Sequence, residues 1–166
     1  MKRVVFALLI LFASASFAQN YSQWENIPLV TAAEFRKAEP QVMLAADLVL
    51  STPIEKTNKN RLNAISFIMK WMGGTSDYSF VLDETMRRVT YGDKDMLGVY
   101  FACLSKYAIQ KGKGADREDI RIKSYAMLAA YCENPDNNIK VRGEIKKLVD
   151  AKNQNKMKEY LDSKKK

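Results

Sequence analysis

The chain has 166 residues, 47% of them apolar and 28% charged, and this composition is typical of a globular protein rather than a disordered one. Seven glycines and four prolines are too few for a turn-rich β-sandwich and favour long helices. The absence of histidine excludes Ser-His-Asp and Cys-His nucleophiles as well as histidine-ligated metal sites. The formal net charge is +8 and is unevenly distributed.

Residues 1–18 have the pattern of a cleavable secretory signal peptide. Two basic residues precede an apolar run over residues 4–12, and Ser16 and Ala18 supply the small side chains that a cleavage site requires. The apolar stretch is shorter than the roughly 17 to 25 residues that span a bilayer. We therefore expect a soluble protein that is exported to the periplasm or the extracellular space, with a mature chain that begins at Gln19.

The mature chain opens with two predicted helices. Thr31 and Glu34 form a capping box, in which each side chain accepts a hydrogen bond from the backbone of the other residue, so a helix is predicted to begin there. Val30 and Phe35 have the positions of a hydrophobic staple across this cap. A second helix is predicted over residues 39–51, where a proline stands in the first turn.

Two further helices are predicted before the middle of the chain. The first covers residues 58–72 and is ended by a glycine pair. Its expected inner face holds apolar residues at helical spacing, namely Leu62, Ile65, Met69 and Met72, flanked by Phe67, Ile68 and Trp71. The second covers residues 82–89 and would carry two ion pairs at i,i+4 spacing, Asp83 with Arg87 and Glu84 with Arg88.

Two long segments predict a helical hairpin at the centre of the protein. Residues 93–110 are apolar nearly all round, as in a helix surrounded by other helices. A glycine-containing connection over residues 111–116 ends in an aspartate that suits the N-cap of a helix running to Glu133. On a straight hairpin, Cys103 and Cys132 differ in axial position by about 10 Å. A disulfide allows only about 7 Å between Cα atoms, so we expect two unbonded, buried thiols.

Within this hairpin, segment 126–137 resembles the second helix of a tetratricopeptide repeat, in which an alanine stands five residues before a proline. The resemblance covers about a dozen residues, and the mature chain contains no second copy at the repeat period of about 34 residues. A fold of stacked repeats needs about three such units, so only a packed helical hairpin is predicted.

The C-terminal region is predicted to hold one basic helix and a tail. Residues 140–152 are amphipathic, with an expected inner face of Val141, Ile145, Leu148 and Val149. Residues 153–166 are only weakly amphipathic, so we expect them to fray and their deletion to leave stability nearly unchanged. Residues 140–166 hold ten basic and four acidic residues, whereas residues 19–139 hold 15 of each.

The cations of this tail are the first candidate interaction site. The predicted contacts with anionic lipid head groups are Lys156, Lys158, Lys164, Lys165 and Lys166. Nucleic acid is not an expected partner, because export separates the chain from it and only Tyr160 is available to stack on bases. A solvated helical face without a partner is the alternative interpretation.

The segment after the third helix is the second candidate site. Trp71, Asp77, Tyr78 and Phe80 place three aromatic rings and a carboxylate around a glycine pair. Such a loop suits a sugar or a peptide, held against an aromatic face and oriented by hydrogen bonds to Asp77. Alternatively, Trp71 and Phe80 close the end of the helical bundle.

Paired carboxylates provide an enzymatic alternative. Glycan hydrolysis requires two carboxyl groups about 5 to 10 Å apart and no histidine, so Asp77 would act with Asp83 or Glu84. Both Asp83 and Glu84 also have an arginine four residues later, and surface ion pairs account for them as well.

Together these patterns predict an all-α protein, either a single helical bundle or an irregular helical array around the central hairpin. The helical domain is expected over residues 19–152 and the basic tail over residues 153–166. The expected function is non-enzymatic binding of a protein or peptide partner, without a cofactor, a metal or a catalytic residue. A small carboxylate-based enzyme acting on glycans and a peripheral envelope component held by the basic tail are the alternatives. The sequence leaves the oligomeric state open.

Overall fold

The computed structural model describes residues 21–164, and every regular element in that range is helical. The predicted all-α class is confirmed. The predicted signal peptide over residues 1–18, the mature start at Gln19, and Lys165 and Lys166 lie outside the described residues. Short 3₁₀ helices occur at Tyr21–Asn26 and Pro135–Asn137. The α-helices within the described range are α1 (Ala32–Lys37), α2 (Glu39–Ser51), α3 (Lys59–Gly74), α4 (Glu84–Thr90), α5 (Lys94–Lys111), α6 (Arg117–Glu133), α7 (Gly143–Asn153) and α8 (Met157–Asp162).

The predicted central helix is α5, which packs against α2, α3 and α6 and buries ten of its residues. Gly98 permits the close approach to α3, because a Cβ atom at this position would lie 2.6 Å from Ile65 Cδ1. The predicted hairpin of α5 and α6 is confirmed, and so is the burial of Cys103 and Cys132, which carry free thiols. Burial raises the pKa of the Cys132 thiol to about 12.

Local sequence signals place the start of α1 as predicted. Thr31 Oγ1 accepts a hydrogen bond from the Glu34 N–H, while the Glu34 carboxylate accepts one from the Thr31 N–H at 2.8 Å. The predicted hydrophobic staple is wrong, because Val30 is 83% exposed while Phe35 is buried. The ring of Phe35 instead lies against Gly74 at the end of α3, where a Cβ atom would collide with it.

Helix α3 buries part of its predicted inner face, namely Ile65, Phe67, Ile68 and Trp71. Leu62 and Met69, which the apolar pattern places inside, lie at the surface. The fold also buries Arg61 completely, a charged residue to which the apolar pattern assigns no place. The buried side chains of the helix are Arg61, Ala64, Ile65, Phe67, Ile68 and Trp71.

The side chain of Arg61, a residue of α3, packs against the C-terminal end of α2. Its guanidinium donates hydrogen bonds to the carbonyl oxygens of Val49 and Thr52. The Tyr131 hydroxyl of α6 donates to the same Thr52 carbonyl at 2.8 Å, and the guanidinium lies 5.9 Å from the centre of the Tyr131 ring. Side chains from α3 and α6 thus satisfy carbonyl groups that the end of a helix leaves without a partner.

The expected fraying of the C-terminal segment is wrong for residues 157–162, which form α8. Met157 and Leu161 are buried, and the helix packs against α6 and α7. Two apolar residues at i,i+4 spacing suffice here because α6 and α7 already provide an apolar surface for them to cover. Helix α7 buries its predicted inner face except for Val141, which precedes the helix and is exposed.

Candidate functional site

The indole of Trp71 holds the connection between α3 and α4 in place. Its Nε1 donates a hydrogen bond to the Phe35 carbonyl at 2.9 Å, and the side chain has no exposed surface. The rings of Tyr78 and Phe80 pack on it, with centroids at 5.5 and 6.2 Å. Trp71 therefore positions the loop and is not accessible to a ligand, while Tyr78 and Phe80 remain partly exposed.

Asp77 joins three parts of the fold. Its carboxylate accepts hydrogen bonds from Arg36 Nε of α1 at 2.5 Å and from Lys113 Nζ of the α5–α6 connection at 3.0 Å. These bonds, first from Arg36 and then from Lys113, hold the pKa of Asp77 at about 2. The carboxylate is thus engaged by two cations rather than free to orient a ligand.

An acid titration tests this arrangement. We expect a midpoint of about 2 for Asp77, and a midpoint closer to the ordinary value of about 3.9 in Arg36→Ala. The stabilising effect of the ion pairs is complete above that ordinary pKa and is lost as the pH falls through about 2. Carbon-13 NMR of the side-chain carboxyls measures both midpoints. An ordinary midpoint in the unmodified protein would contradict the contact.

A surface hollow of about 390 Å³, here called the apolar groove, lies beside this loop. Its wall consists of Met69 and Met72 of α3, Tyr78, Phe80 and Leu82 of the connecting segment, and Phe101 of α5. Met69 is 48% exposed and Leu82 is 56% exposed. An apolar patch that is concave and open to solvent is typical of a site for another molecule.

The connecting segment is extended along one side of the groove. Tyr78, Phe80 and Leu82 alternate with residues that do not line the groove, a spacing that directs side chains to one side of an extended chain. Within residues 21–164, no backbone group of residues 79–82 bonds to another backbone group, although the Val81 carbonyl accepts the Tyr100 hydroxyl at 3.5 Å. Along this edge of the groove, the backbone of Ser79, Phe80 and Leu82 thus forms no hydrogen bond with other backbone groups of the described residues.

Tyr78 also connects the groove to α2. Its hydroxyl donates a hydrogen bond to Glu39 Oε1 at 3.1 Å. Burial, and after it the Glu39 carboxylate, raises the pKa of Tyr78 to about 12, so the ring stays neutral at physiological pH. Two of the four predicted site residues, Tyr78 and Phe80, thus line the groove. The other two, Trp71 and Asp77, do not line it, and their hydrogen bonds to α1 hold the connecting segment in position.

Sequence reasoning missed the other residues of the groove. The helical pattern places Met69 and Met72 on the inner face of α3, and it gives Leu82 and Phe101 no role in a site. Leu82 ends a short apolar run, Phe80-Val81-Leu82, and a run of this length does not by itself indicate which of its side chains are exposed.

The three carboxylates of the enzymatic alternative are held by basic side chains. Asp83 accepts hydrogen bonds from Arg121 Nε and from the Tyr125 hydroxyl, each at 2.6 Å. The predicted pair of Asp83 with Arg87 is therefore wrong, whereas Glu84 does pair with Arg88, and also with Arg87. A general acid requires a raised pKa, but hydrogen bonds, from Arg87 first, lower the pKa of Glu84, and the pKa of Asp77 is lowered as well.

Two of the three described cations of the predicted tail form ion pairs within the fold. Lys158 pairs with Asp162 at 2.6 Å, and Lys164 pairs with Glu144 at 3.0 Å. Lys156, the residue that precedes α8, is exposed to solvent. Few of the predicted contacts are thus left to act on an anionic surface in the part of the tail that the structure describes.

Residues 21–164 contain neither a metal-binding cluster nor a membrane-spanning helix. No group of three histidine, cysteine, aspartate or glutamate residues in that range could hold a metal ion. None of the helices there has both the length and the apolar character needed to cross a bilayer. In comparisons with known proteins, no family model, no curated protein and no solved structure matches this chain.

Proposed function

We propose that this chain is an exported, non-enzymatic binding protein whose apolar groove takes an apolar segment of a protein or peptide partner. The observation that carries the proposal is the exposure of Met69 and Leu82 on the wall of one concave site. Covering side chains of this size stabilises a complex by about 1.5 to 3 kcal/mol each. Export is supported by the pattern of residues 1–18, so the partner is to be sought in the periplasm or outside the cell.

The fixed position of the connecting segment also supports the proposal. Trp71 and Asp77 attach its connecting segment to α1, α3 and the α5–α6 connection. A wall fixed in this way loses little conformational entropy when a partner binds, which favours affinity. Carboxylates engaged by arginine and lysine favour this binding role over glycan hydrolysis.

The proposal is tested by selecting from a random-peptide phage library on the immobilised full chain. We expect enrichment of peptides rich in apolar residues, with affinity lowered at least tenfold by Leu82→Glu, because one buried leucine contributes about 1.5 to 3 kcal/mol. Leu44→Glu is the matched control, since Leu44 is an exposed leucine of α2 that does not line the groove. Failure to enrich any peptide, or equal losses in the two variants, would refute the proposal.

A further inference from the structure

A second face of the protein is built around Tyr91, at the end of α4. Two hollows share this residue: one of about 520 Å³ has Arg87 and Arg88 on its wall, and one of about 550 Å³ has Lys140 and Arg142 on its wall. These five residues are called the Tyr91 surface below. Because Tyr91 belongs to both walls, the four cations lie on one continuous face.

Tyr91 is held in position although its side chain is largely exposed. It adopts a left-handed conformation with φ of 51°, and its hydroxyl accepts a hydrogen bond from the Glu144 N–H at 3.0 Å. Gly143 makes this contact possible, because a Cβ atom there would collide with the Tyr91 hydroxyl. Even so, Tyr91 is 61% exposed, and Val141, between Lys140 and Arg142 in the chain, is exposed as well.

The charge on this face is not balanced. Arg87 and Arg88 share the single carboxylate of Glu84, at 2.6 and 3.3 Å. Lys140 and Arg142 form no ion pair within residues 21–164. Asp93 lies on the wall of the second hollow, where its carboxylate caps the start of α5. The cations of the Tyr91 surface therefore exceed the carboxylates that accompany them.

The neighbouring C-terminal residues extend the excess. Glu144, on the wall of the first hollow, accepts both Lys147 at 2.7 Å and Lys164 at 3.0 Å. These hydrogen bonds, from Lys147 first, hold the pKa of Glu144 at about 2. The carboxylate is therefore ionised, and both lysines form ion pairs with it. Two cations to one carboxylate again leave net positive charge beside Tyr91.

We infer that the Tyr91 surface binds the head groups of an anionic lipid bilayer. Its cations are complementary to anionic lipid, and an exposed tyrosine ring with a neighbouring valine is suited to the boundary between head groups and acyl chains. The binding face therefore differs from the predicted tail, whose Lys158 and Lys164 are engaged within the fold. The inference does not depend on the apolar groove. An acidic polymer in solution would satisfy the cations but would leave Tyr91 and Val141 uncovered.

The test is co-sedimentation of the full chain with vesicles of phosphatidylcholine, with and without phosphatidylglycerol, at low and high salt. We expect binding to depend on phosphatidylglycerol and to weaken at high salt, since the Debye length falls to about 3 Å at molar salt. Lys140→Gln with Arg142→Gln is expected to weaken partitioning about 25-fold, because each cation near an anionic bilayer contributes about a factor of five.

The matched control is Lys37→Gln with Lys70→Gln, which removes the same charge from exposed positions on α1 and α3. It is expected to bind like the unmodified chain, and any binding by the apolar run over residues 4–12 is common to all variants. Equal weakening in both double variants, or equal binding to both kinds of vesicle, would overturn the inference.

A second variant separates the lipid from an acidic polymer. Val141→Ser is expected to weaken vesicle binding several-fold and to leave retention on immobilised polyglutamate unchanged, since only the bilayer offers an apolar layer. Retention on polyglutamate without binding to phosphatidylglycerol vesicles would assign the face to an acidic polymer and overturn the lipid assignment.

Discussion

Replacing Asp83 with alanine is expected to lower the free energy of unfolding by about 3 to 5 kcal/mol, the range for removing one partner of a buried ion pair. Asp83 binds the Arg121 guanidinium and the Tyr125 hydroxyl, and it also caps α4 by accepting the Met86 N–H at 3.0 Å. Arg121 is buried. Without Asp83 its charge would retain only Glu118 as an acidic partner in the described fold.

Urea unfolding of the variant and the unmodified protein measures this difference. The neighbouring substitution Glu84→Ala is the matched control, because it removes a carboxylate from exposed ion pairs with Arg87 and Arg88. Such pairs contribute about 0 to 1 kcal/mol, so this variant should remain close to the unmodified protein. If both variants lost the same stability, the structural role assigned to Asp83 would be wrong.

Ending the chain at Asn155, which removes α8, is expected to lower the free energy of unfolding by about 3 to 6 kcal/mol. Met157 and Leu161 are buried, and returning two such side chains to water costs about 1.5 to 3 kcal/mol each. This expectation replaces the one from sequence, in which residues 153–166 were a frayed tail whose loss would be nearly neutral. Thermal or urea unfolding of the shortened chain measures the loss.

Two substitutions within the full chain separate packing from chain length. Leu161→Ala alone should cost about 2 to 5 kcal/mol, as do other leucine truncations in a core. Lys158→Ala removes only an exposed ion pair with Asp162 and should change stability by a few tenths of a kcal/mol. A shortened chain as stable as the full one would show that α8 does not hold the fold together.

The parts of the fold that could be predicted are those in which local and global signals agree. Residues 93–110 are apolar on every side, so any packing that buries them gives the same central helix. The Thr31–Glu34 capping box acts within one helical turn and needs nothing from the rest of the chain. Such features do not depend on which elements meet in the folded protein.

The incorrect predictions concern residues whose contacts in the fold are with residues distant in the sequence. The Arg61 side chain is buried, where its guanidinium donates hydrogen bonds to carbonyl groups at the end of α2. Asp83 pairs with Arg121, which lies 38 positions away in the sequence, and not with Arg87. Helix α8 is stable because α6 and α7 provide its apolar surface. The sequence predicts the apolar groove only in part, because it places Met69 inside the core whereas the fold exposes this residue.

The contacts among Arg61, Thr52 and Tyr131 connect parts of the chain that are distant in the sequence. The Tyr131 hydroxyl and the Thr52 carbonyl are 79 positions apart, and the Arg61 guanidinium lies between α2 and the Tyr131 ring. Contacts of such separation form only after a long loop has closed, at an entropic cost that slows folding. Helices α2 and α3 pack mainly on each other and on α5, so we expect the contact between Tyr131 of α6 and Thr52 to form after those helices have come together.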